Sequence, residues 1–141
     1  MRRTTRYRVI VEAAVVAVAT RALRRLNLVT LQRVLEPRRT RTLSGAAART
    51  TGAEYASIVD AVIRRGKPLV PPGCLTRGIT LYALLRRAGV DVVLRYGINA
   101  DLNGRAEGHC WLEYDGAPFL ERSDPHASFT GVARLSSAGV D

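Results

Sequence analysis

Two cysteines and two histidines are the residues of this chain best suited to covalent chemistry. Cys74 follows a Pro-Pro-Gly turn and begins the stretch "CLTRGITLYALLRRAG", whose apolar residues recur at helical spacing. This pattern places Cys74 at or next to a helix N-terminus, where partial positive charge and unpaired backbone N–H groups favour a thiolate over a thiol. Cys74 is therefore a candidate nucleophile, and a small buried residue is the structural alternative.

A nucleophilic thiol needs an imidazole that accepts and returns a proton. His109 lies in "GHCWLEYDGAPFLER", where alternation predicts a strand, whereas His126 lies in "SDPHAS", which is typical of a loop. Because a strand fixes the ring better than a loop, His109 is the preferred base, with a half-buried strand histidine as the structural alternative. Cys110 has the opposite parity on this strand and is expected in the core.

The imidazole also needs an acceptor that holds it in the useful tautomer. The candidates are Glu121, Asp115 and Asp124, while Glu113 is excluded as a near neighbour on the histidine's own strand unless the site is unusual. Pairing about the Asp-Gly turn puts Glu121 roughly opposite His109, whereas Asp115 lies in the turn itself, where Asp is expected for backbone reasons. Glu121 is the preferred third residue, and the other two aspartates remain open.

Several helices must form to position these residues. The stretch 9–35, "VIVEAAVVAVATRALRRLNLVTLQRVL", predicts a long helix that is apolar on most sides early and amphipathic later. Proline, glycine and clustered charge interrupt the pattern over 36–52, which predicts a connection. A second helix is predicted over 54–65, with Gly66 as its stop.

The pattern changes to alternation after Gly89, which ends the helix of Cys74. "VDVVLRYGI" and then "GHCWLEY" predict two strands, and the Asp-Gly turn leads into "FLER" as the next one. These elements predict an α+β fold, in which N-terminal helices precede a small antiparallel sheet and the helix that begins at Cys74 packs on that sheet.

The chain has the length of one domain with a modest core. Within it, a helical region over 1–66 is expected to pack on a core over 67–135, followed by a frayed tail over 136–141. There is no internal repeat.

The net charge of +10 comes almost wholly from arginine, with Lys67 as the single lysine. Such a charge favours acidic partners in general. The arginines are spread along the chain without the interleaved aromatic residues of single-strand binders, so a nucleic-acid partner is not expected.

Two cysteines are too few for a disulfide scaffold, and no signal peptide opens the chain, so a cytoplasmic protein with free thiols is expected. The uncharged run 13–20 is far shorter than the ~20 residues of a membrane span, although the arginine-rich N-terminal helix could contact a membrane surface. No zinc-type spacing and no glycine-rich nucleotide loop occurs, so neither a metal nor a cofactor is expected.

The C-terminal half, from residue 70 to about 125, resembles the transglutaminase-like cysteine proteases with their papain-like core. Within them it resembles the lasso-peptide leader peptidases, the B proteins of lasso-peptide biosynthesis. Their pattern is Cys-Leu-x-Arg-x-x-x-Leu-x-x-Leu-Leu-x-x-x-Gly, a strand, then His-x-Trp-x-Glu-x-x-Gly and an acidic residue on the next strand. The matching residues are Cys74, Leu75, Arg77, Leu81, Leu84, Leu85, Gly89, His109, Trp111, Glu113 and Gly116.

This resemblance implies a Cys-His-Asp triad, whose first two members correspond to Cys74 and His109. Two positions depart from the family pattern. Cys110 stands where the family usually has alanine, and Glu121 stands in place of the aspartate, which keeps the charge but lengthens the side chain.

The resemblance also implies the reaction, which is removal of the leader from a lasso-peptide precursor before an ATP-dependent macrolactam synthetase closes the ring. Because the N-terminus is predicted helical, the chain resembles the stand-alone peptidase, which needs a separate small protein to recognise the leader. Two other functions remain open. One is a different transglutaminase-like amide hydrolase or acyltransferase, and the other is a basic module without enzymatic activity that binds nucleic acid or membrane.

Overall fold

Three helices precede a four-stranded sheet in the computed structural model, which describes residues 3–23, 30, 35, 42–100 and 106–135. The helices are α1 (Arg3–Leu23), α2 (Gly45–Arg65) and α3 (Cys74–Arg87). The strands are β1 (Val92–Ala100), β2 (Ala106–Tyr114), β3 (Ala117–Phe119) and β4 (Thr130–Leu135). The predicted α+β fold, with Cys74 at the start of a helix that packs on an antiparallel sheet, is confirmed.

The sheet is antiparallel, in the order β3-β2-β1-β4. Its centre is the long pairing of β1 with β2, in which Gly97 lies opposite His109. Helix α3 packs against both of these strands. The other surface of α3 is covered by α1 and α2. Helix α3 therefore lies between these helices and the sheet, and it is buried on nearly every side.

Helix α1 contributes one apolar face to this core. Its buried residues recur at helical spacing, and they are Val9, Ala13, Val16, Ala17 and Thr20. The opposite face exposes Tyr7, Val11, Val15 and Val18. None of the described helices is long and apolar enough to cross a membrane. Most of 24–35, the second part of the predicted long helix, lies outside the described residues, as does the tail 136–141.

Helix α2 begins at Gly45, nine residues before the predicted start at 54, so the prediction of a connection through 52 is wrong for its last part. The glycine at 52 lies inside the helix, and the ring of Phe119 occupies the space that a side chain there would need. A Cβ at Gly52 would lie 2.5 Å from the Phe119 Cζ. The glycine therefore serves the packing of α2 on the chain after β3.

The ends of α3 agree with the sequence prediction. The helix begins at Cys74 after Gly73, whose φ of 118° favours glycine, and it is followed by Gly89, whose φ is 88°. A positive φ at the residue after a helix cap is a common way to end a helix.

The prediction for the last strands is correct only in part. Strand β3 is three residues long and ends at Phe119, so most of the predicted "FLER" strand is not in the ladder. Leu120 has a φ of 64°, which turns the chain out of the sheet. Strand β4 pairs with β1 and was not predicted. The division into 1–66 and 67–135 stays a prediction, although both N-terminal helices contact α3 directly.

Candidate active site

Cys74 is the first residue of α3 and is half-buried. The preceding Gly73 offers no side chain to cap the first turn, so the thiol shares the helix N-terminus with uncapped backbone N–H groups. The Cys74 Sγ lies 3.9 Å from the carbonyl oxygen of Gly108. That contact brings the thiol to the part of β2 that carries the predicted base.

His109 is held on β2 by its strand position and by two aromatic rings. The His109 ring stacks against Phe129 at a centroid distance of 5.2 Å and against Trp111 at 6.0 Å. Gly97, opposite on β1, makes room for these rings, since a Cβ there would lie 2.8 Å from the Phe129 Cβ and 3.0 Å from the Trp111 ring. The two rings pack against the imidazole and restrict its orientation.

Glu121 is the acid that faces the imidazole. The His109 Nε2 and the Glu121 Oε2 are 3.4 Å apart, which leaves the His109 Nδ1 for a second partner. The turn at Leu120 directs the chain after β3 back toward β2, and this accounts for a contact from a residue outside the ladder.

A cavity of about 420 Å³ joins Cys74, His109 and Glu121. Within the described part of the chain, the thiol and the imidazole line this cavity without a direct hydrogen bond between them. Such bonds are often absent or long in a free enzyme and tighten when substrate binds. The arrangement suits a thiol nucleophile with an imidazole base and a carboxylate that orients the base.

The two other acids considered for the third position do not contact His109. Asp115 lies exposed in the Asp-Gly turn with a φ of 54°. Asp124 lines the cavity, but its Oδ1 accepts hydrogen bonds from the backbone N–H and the Nδ1 of His126. The backbone bond from His126 is the main cause that lowers the pKa of Asp124.

Arg77 is a functional candidate to which the sequence analysis gave no role. Its Nε lies 2.8 Å from the Asp60 Oδ1 on α2, its Nη1 lies 3.5 Å from the Glu121 Oε1, and its Nη2 lies 3.4 Å from the Leu120 carbonyl oxygen. Arg77 thus fixes the acid on the side away from His109. The sequence feature that could have identified Arg77 is its position three residues after Cys74, which places both side chains on one helix face.

Glu113 belongs to a second polar cluster, behind the Trp111 ring. Its carboxylate is 5% exposed and accepts hydrogen bonds from Arg95 Nε at 2.8 Å and from Trp111 Nε1 at 3.4 Å. The His126 Nε2 lies 2.7 Å from the same oxygen that Trp111 uses. The hydrogen bond to Glu113 is the largest of the causes that raise the pKa of His126 above its ordinary value. Thus Glu113, set aside as an orienting acid, bonds to the other histidine.

Cys110 is buried, as predicted, and its exposed fraction is 3%. Burial is the main cause that raises the pKa of its thiol, which keeps this cysteine protonated near neutral pH. Its sulfur packs against Gly78 of α3, where a Cβ would lie only 2.7 Å away. Cys110 is therefore a packing residue, although it borders the cavity.

Metal-binding side chains do not cluster in the described part of the chain. No group of three or more histidine, cysteine, aspartate or glutamate residues there has the arrangement of a metal site.

Comparison with known proteins identifies the family of the chain. No curated protein and no solved structure matches the chain. The sequence model of the transglutaminase-like superfamily matches residues 13–134, a range that includes the second half of α1 as well as α2, α3 and nearly all of the sheet. With a cysteine at a helix start, a strand histidine and an acid around one cavity, the chain belongs to the transglutaminase-like superfamily.

Proposed function

We propose that this protein is a cysteine peptidase that removes the leader from a ribosomally made lasso-peptide precursor. The observation that carries the peptidase chemistry is the meeting of Cys74, His109 and Glu121 in one cavity. The finer assignment to lasso precursors is supported by the motif pattern from Cys74 to Gly116, which resembles that of the leader peptidases.

In the first step the Cys74 thiol gives its proton to the His109 imidazole, and the sulfur attacks the scissile carbonyl carbon. The new S–C bond converts the carbonyl oxygen into an oxyanion. Backbone N–H groups of the first turn of α3 are candidate donors to this charge, because no side chain caps the helix N-terminus. The C–N bond then breaks, and the His109 imidazolium protonates the leaving amine.

In the second step water attacks the thioester, and His109 accepts a proton from it. Collapse of the intermediate breaks the S–C bond and releases the leader as a carboxylate. The His109 imidazolium then returns its proton to the sulfur, which restores the Cys74 thiol and the neutral base. The amine released earlier is the N-terminus of the core peptide, which a macrolactam synthetase uses for ring closure.

Glu121 and Arg77 act on the base rather than on the substrate. A hydrogen bond from the His109 Nε2 to Glu121 leaves the Nδ1 to exchange a proton with the thiol and stabilises the imidazolium. The Arg77 guanidinium holds the other carboxylate oxygen and limits its rotation. Together they keep the imidazole in a single working orientation.

We propose that the enzyme acts with two partner proteins, a small leader-recognition protein and the synthetase. The net charge of +10 would suit an acidic leader or an acidic partner surface. The exposed apolar residues of α1 offer a second surface for contact with a partner or with a membrane.

The competing function is an acyltransferase or another amide hydrolase built on the same site. Both begin with the same thioester, and only the group that resolves it differs. The test mixes the protein with a candidate precursor and its recognition protein in water enriched in oxygen-18, and the products are weighed by mass spectrometry.

We expect cleavage at one bond, with one heavy oxygen in the new leader carboxylate. His109→Ala should reduce this cleavage about 10²-fold or more, because proton transfer is then lost. Joining of the leader to an amine without oxygen uptake would instead indicate an acyltransferase. Cleavage that is unaffected by His109→Ala would contradict the mechanism.

A further inference from the structure

His126 has both ring nitrogens bound to carboxylates. Its Nε2 lies 2.7 Å from the Glu113 Oε1, and its Nδ1 lies 2.9 Å from the Asp124 Oδ1. A neutral imidazole donates from one nitrogen and accepts at the other, so it cannot satisfy two carboxylate acceptors. Only the imidazolium makes both bonds, and the geometry therefore favours the charged form of His126.

His126 lies in a short, internally bonded turn that continues to Phe129. The turn is a 3-10 helix, Pro125–Ala127, and the N–H groups of Ser128 and Phe129 both donate to the Pro125 carbonyl oxygen at 3.0 and 2.9 Å. The backbone N–H of His126 donates to Asp124. Because these bonds make the turn stiff, fixing His126 also fixes Phe129.

Phe129 is the residue of this turn that contacts the base. Its ring stacks on the His109 ring, and it forms part of the cavity wall. We propose that His126 is a positioning residue whose imidazolium, bound to Glu113 and Asp124, holds Phe129 against His109. This inference rests on the proposed function, since the position of His109 matters for catalysis only if His109 is the base.

The charged groups around His126 set the direction of its pH dependence. Glu113 on β2 and Asp124 in the turn stabilise the cation. The nearby cation is Arg95 on β1, which is paired with the other oxygen of Glu113. The raised pKa means that the contacts are complete below pH 6.5 and are lost as the pH rises through the folded-state value. The hold on Phe129 should therefore weaken on the alkaline side.

The test is an NMR titration of the two imidazole C–H signals in the protein alone. The chain has only two histidines, so His126→Gln and His109→Gln identify the signals. We expect His126 to titrate with a midpoint above 6.5, and Asp124→Asn, an exposed change, to move that midpoint down. Asp115→Asn, in the other turn, is the matched control and should leave it unchanged. A wild-type midpoint at or below 6.5 would overturn the inference.

The positioning role has its own readout. Phe129→Leu removes the ring current that acts on the His109 signal. It therefore gives the change in chemical shift expected when the Phe129 ring no longer packs against His109. His126→Gln should move the His109 signal in the same direction as Phe129→Leu, measured below pH 6. A His109 signal that is unchanged in His126→Gln would refute the role. Neither result depends on a precursor, so a failure here is distinct from a failure of the proposed peptidase activity.

Discussion

The Glu121 carboxylate is shared between two partners, the His109 imidazole at 3.4 Å and the Arg77 guanidinium at 3.5 Å. Its side chain is 17% exposed, so the pair with Arg77 is only partly screened by water. The extra methylene relative to aspartate is accommodated because Glu121 lies beyond the end of β3, where Leu120 has turned the chain.

Glu121→Gln should reduce precursor cleavage about 10²-fold, because the neutral amide stabilises the imidazolium poorly. Glu121→Asp keeps the negative charge on a shorter side chain, so its cleavage rate should lie between those of Glu121→Gln and wild type. The initial rates of precursor cleavage should decrease from wild type to Glu121→Asp to Glu121→Gln. Asp115→Asn is the control and should cleave at the wild-type rate. A fully active Glu121→Gln would show that Glu121 does not orient the catalytic histidine.

The two thiols differ in environment, and this difference can be measured without substrate. Cys74 is half-buried at the cavity, whereas Cys110 is 3% exposed and has a raised pKa. Iodoacetamide at neutral pH should therefore add one group to the folded protein, on Cys74, and a second only after denaturation. Peptide mass mapping locates the adduct. Labelling of Cys110 at a comparable rate in the folded protein would contradict the packing described above.

At the scale of elements, α3 and β2 position the nucleophile and the base through one close approach. Gly78 of α3 faces Cys110 and Leu94, and a Cβ there would lie 2.7 Å from the sulfur and 3.1 Å from the Leu94 Cδ1. The spacing between helix and strand thus depends on a small residue on α3.

Gly78→Ala should lower the free energy of unfolding by ~1–3 kcal/mol, although glycine-to-alanine changes inside helices usually stabilise. Cys110→Ala removes the atom with the closest contact, so the cost of Gly78→Ala should be smaller in that background. Urea denaturation of the four proteins measures the coupling. If the changes in the free energy of unfolding caused by Gly78→Ala and Cys110→Ala are additive, the contact between these two residues does not set the distance between α3 and β2.

The sequence was sufficient to predict the elements that carry the nucleophile and the base, because their signals are local. The start of α3 at Cys74 and the strand at His109 follow from a proline-glycine turn and from alternation. The early start of α2 could not be predicted, because the requirement for glycine at position 52 comes from its contact with Phe119, a residue distant in sequence. Strand β4 was missed because its pairing with β1 is also a long-range contact.

The same distinction applies to the site. The choice of Glu121 depended on assumed strand pairing, and the structure places it near His109 through a turn rather than through the ladder. The bonds that join Arg77 to Asp60 and His126 to Glu113 connect different elements, so no local pattern predicts them.

At the scale of the molecule, α1 is packed into the same core as the site helix. Val16 on its inner face is 9% exposed, whereas the adjacent Val15 is 63% exposed. The family match also extends into this helix, from residue 13. We infer that α1 stabilises the folded domain and is more than an attachment to it.

Val16→Asp should lower the free energy of unfolding by about 3 kcal/mol or more, because it buries a carboxylate without a partner. Val15→Asp makes the same chemical change one residue away on the exposed face and should alter stability little. Thermal denaturation compares the two variants. Equal, small effects would indicate that α1 contributes little to the core.

The measurement that tests the central claim most directly is the rate of precursor cleavage by two cysteine variants, in the presence of the recognition protein. Cys74→Ala removes the proposed nucleophile, and Cys110→Ala removes a buried thiol that borders the same cavity. We predict that Cys74→Ala falls to the background rate while Cys110→Ala keeps most of the activity. Cleavage that persists in Cys74→Ala, or that is lost in a folded Cys110→Ala instead, would contradict the account.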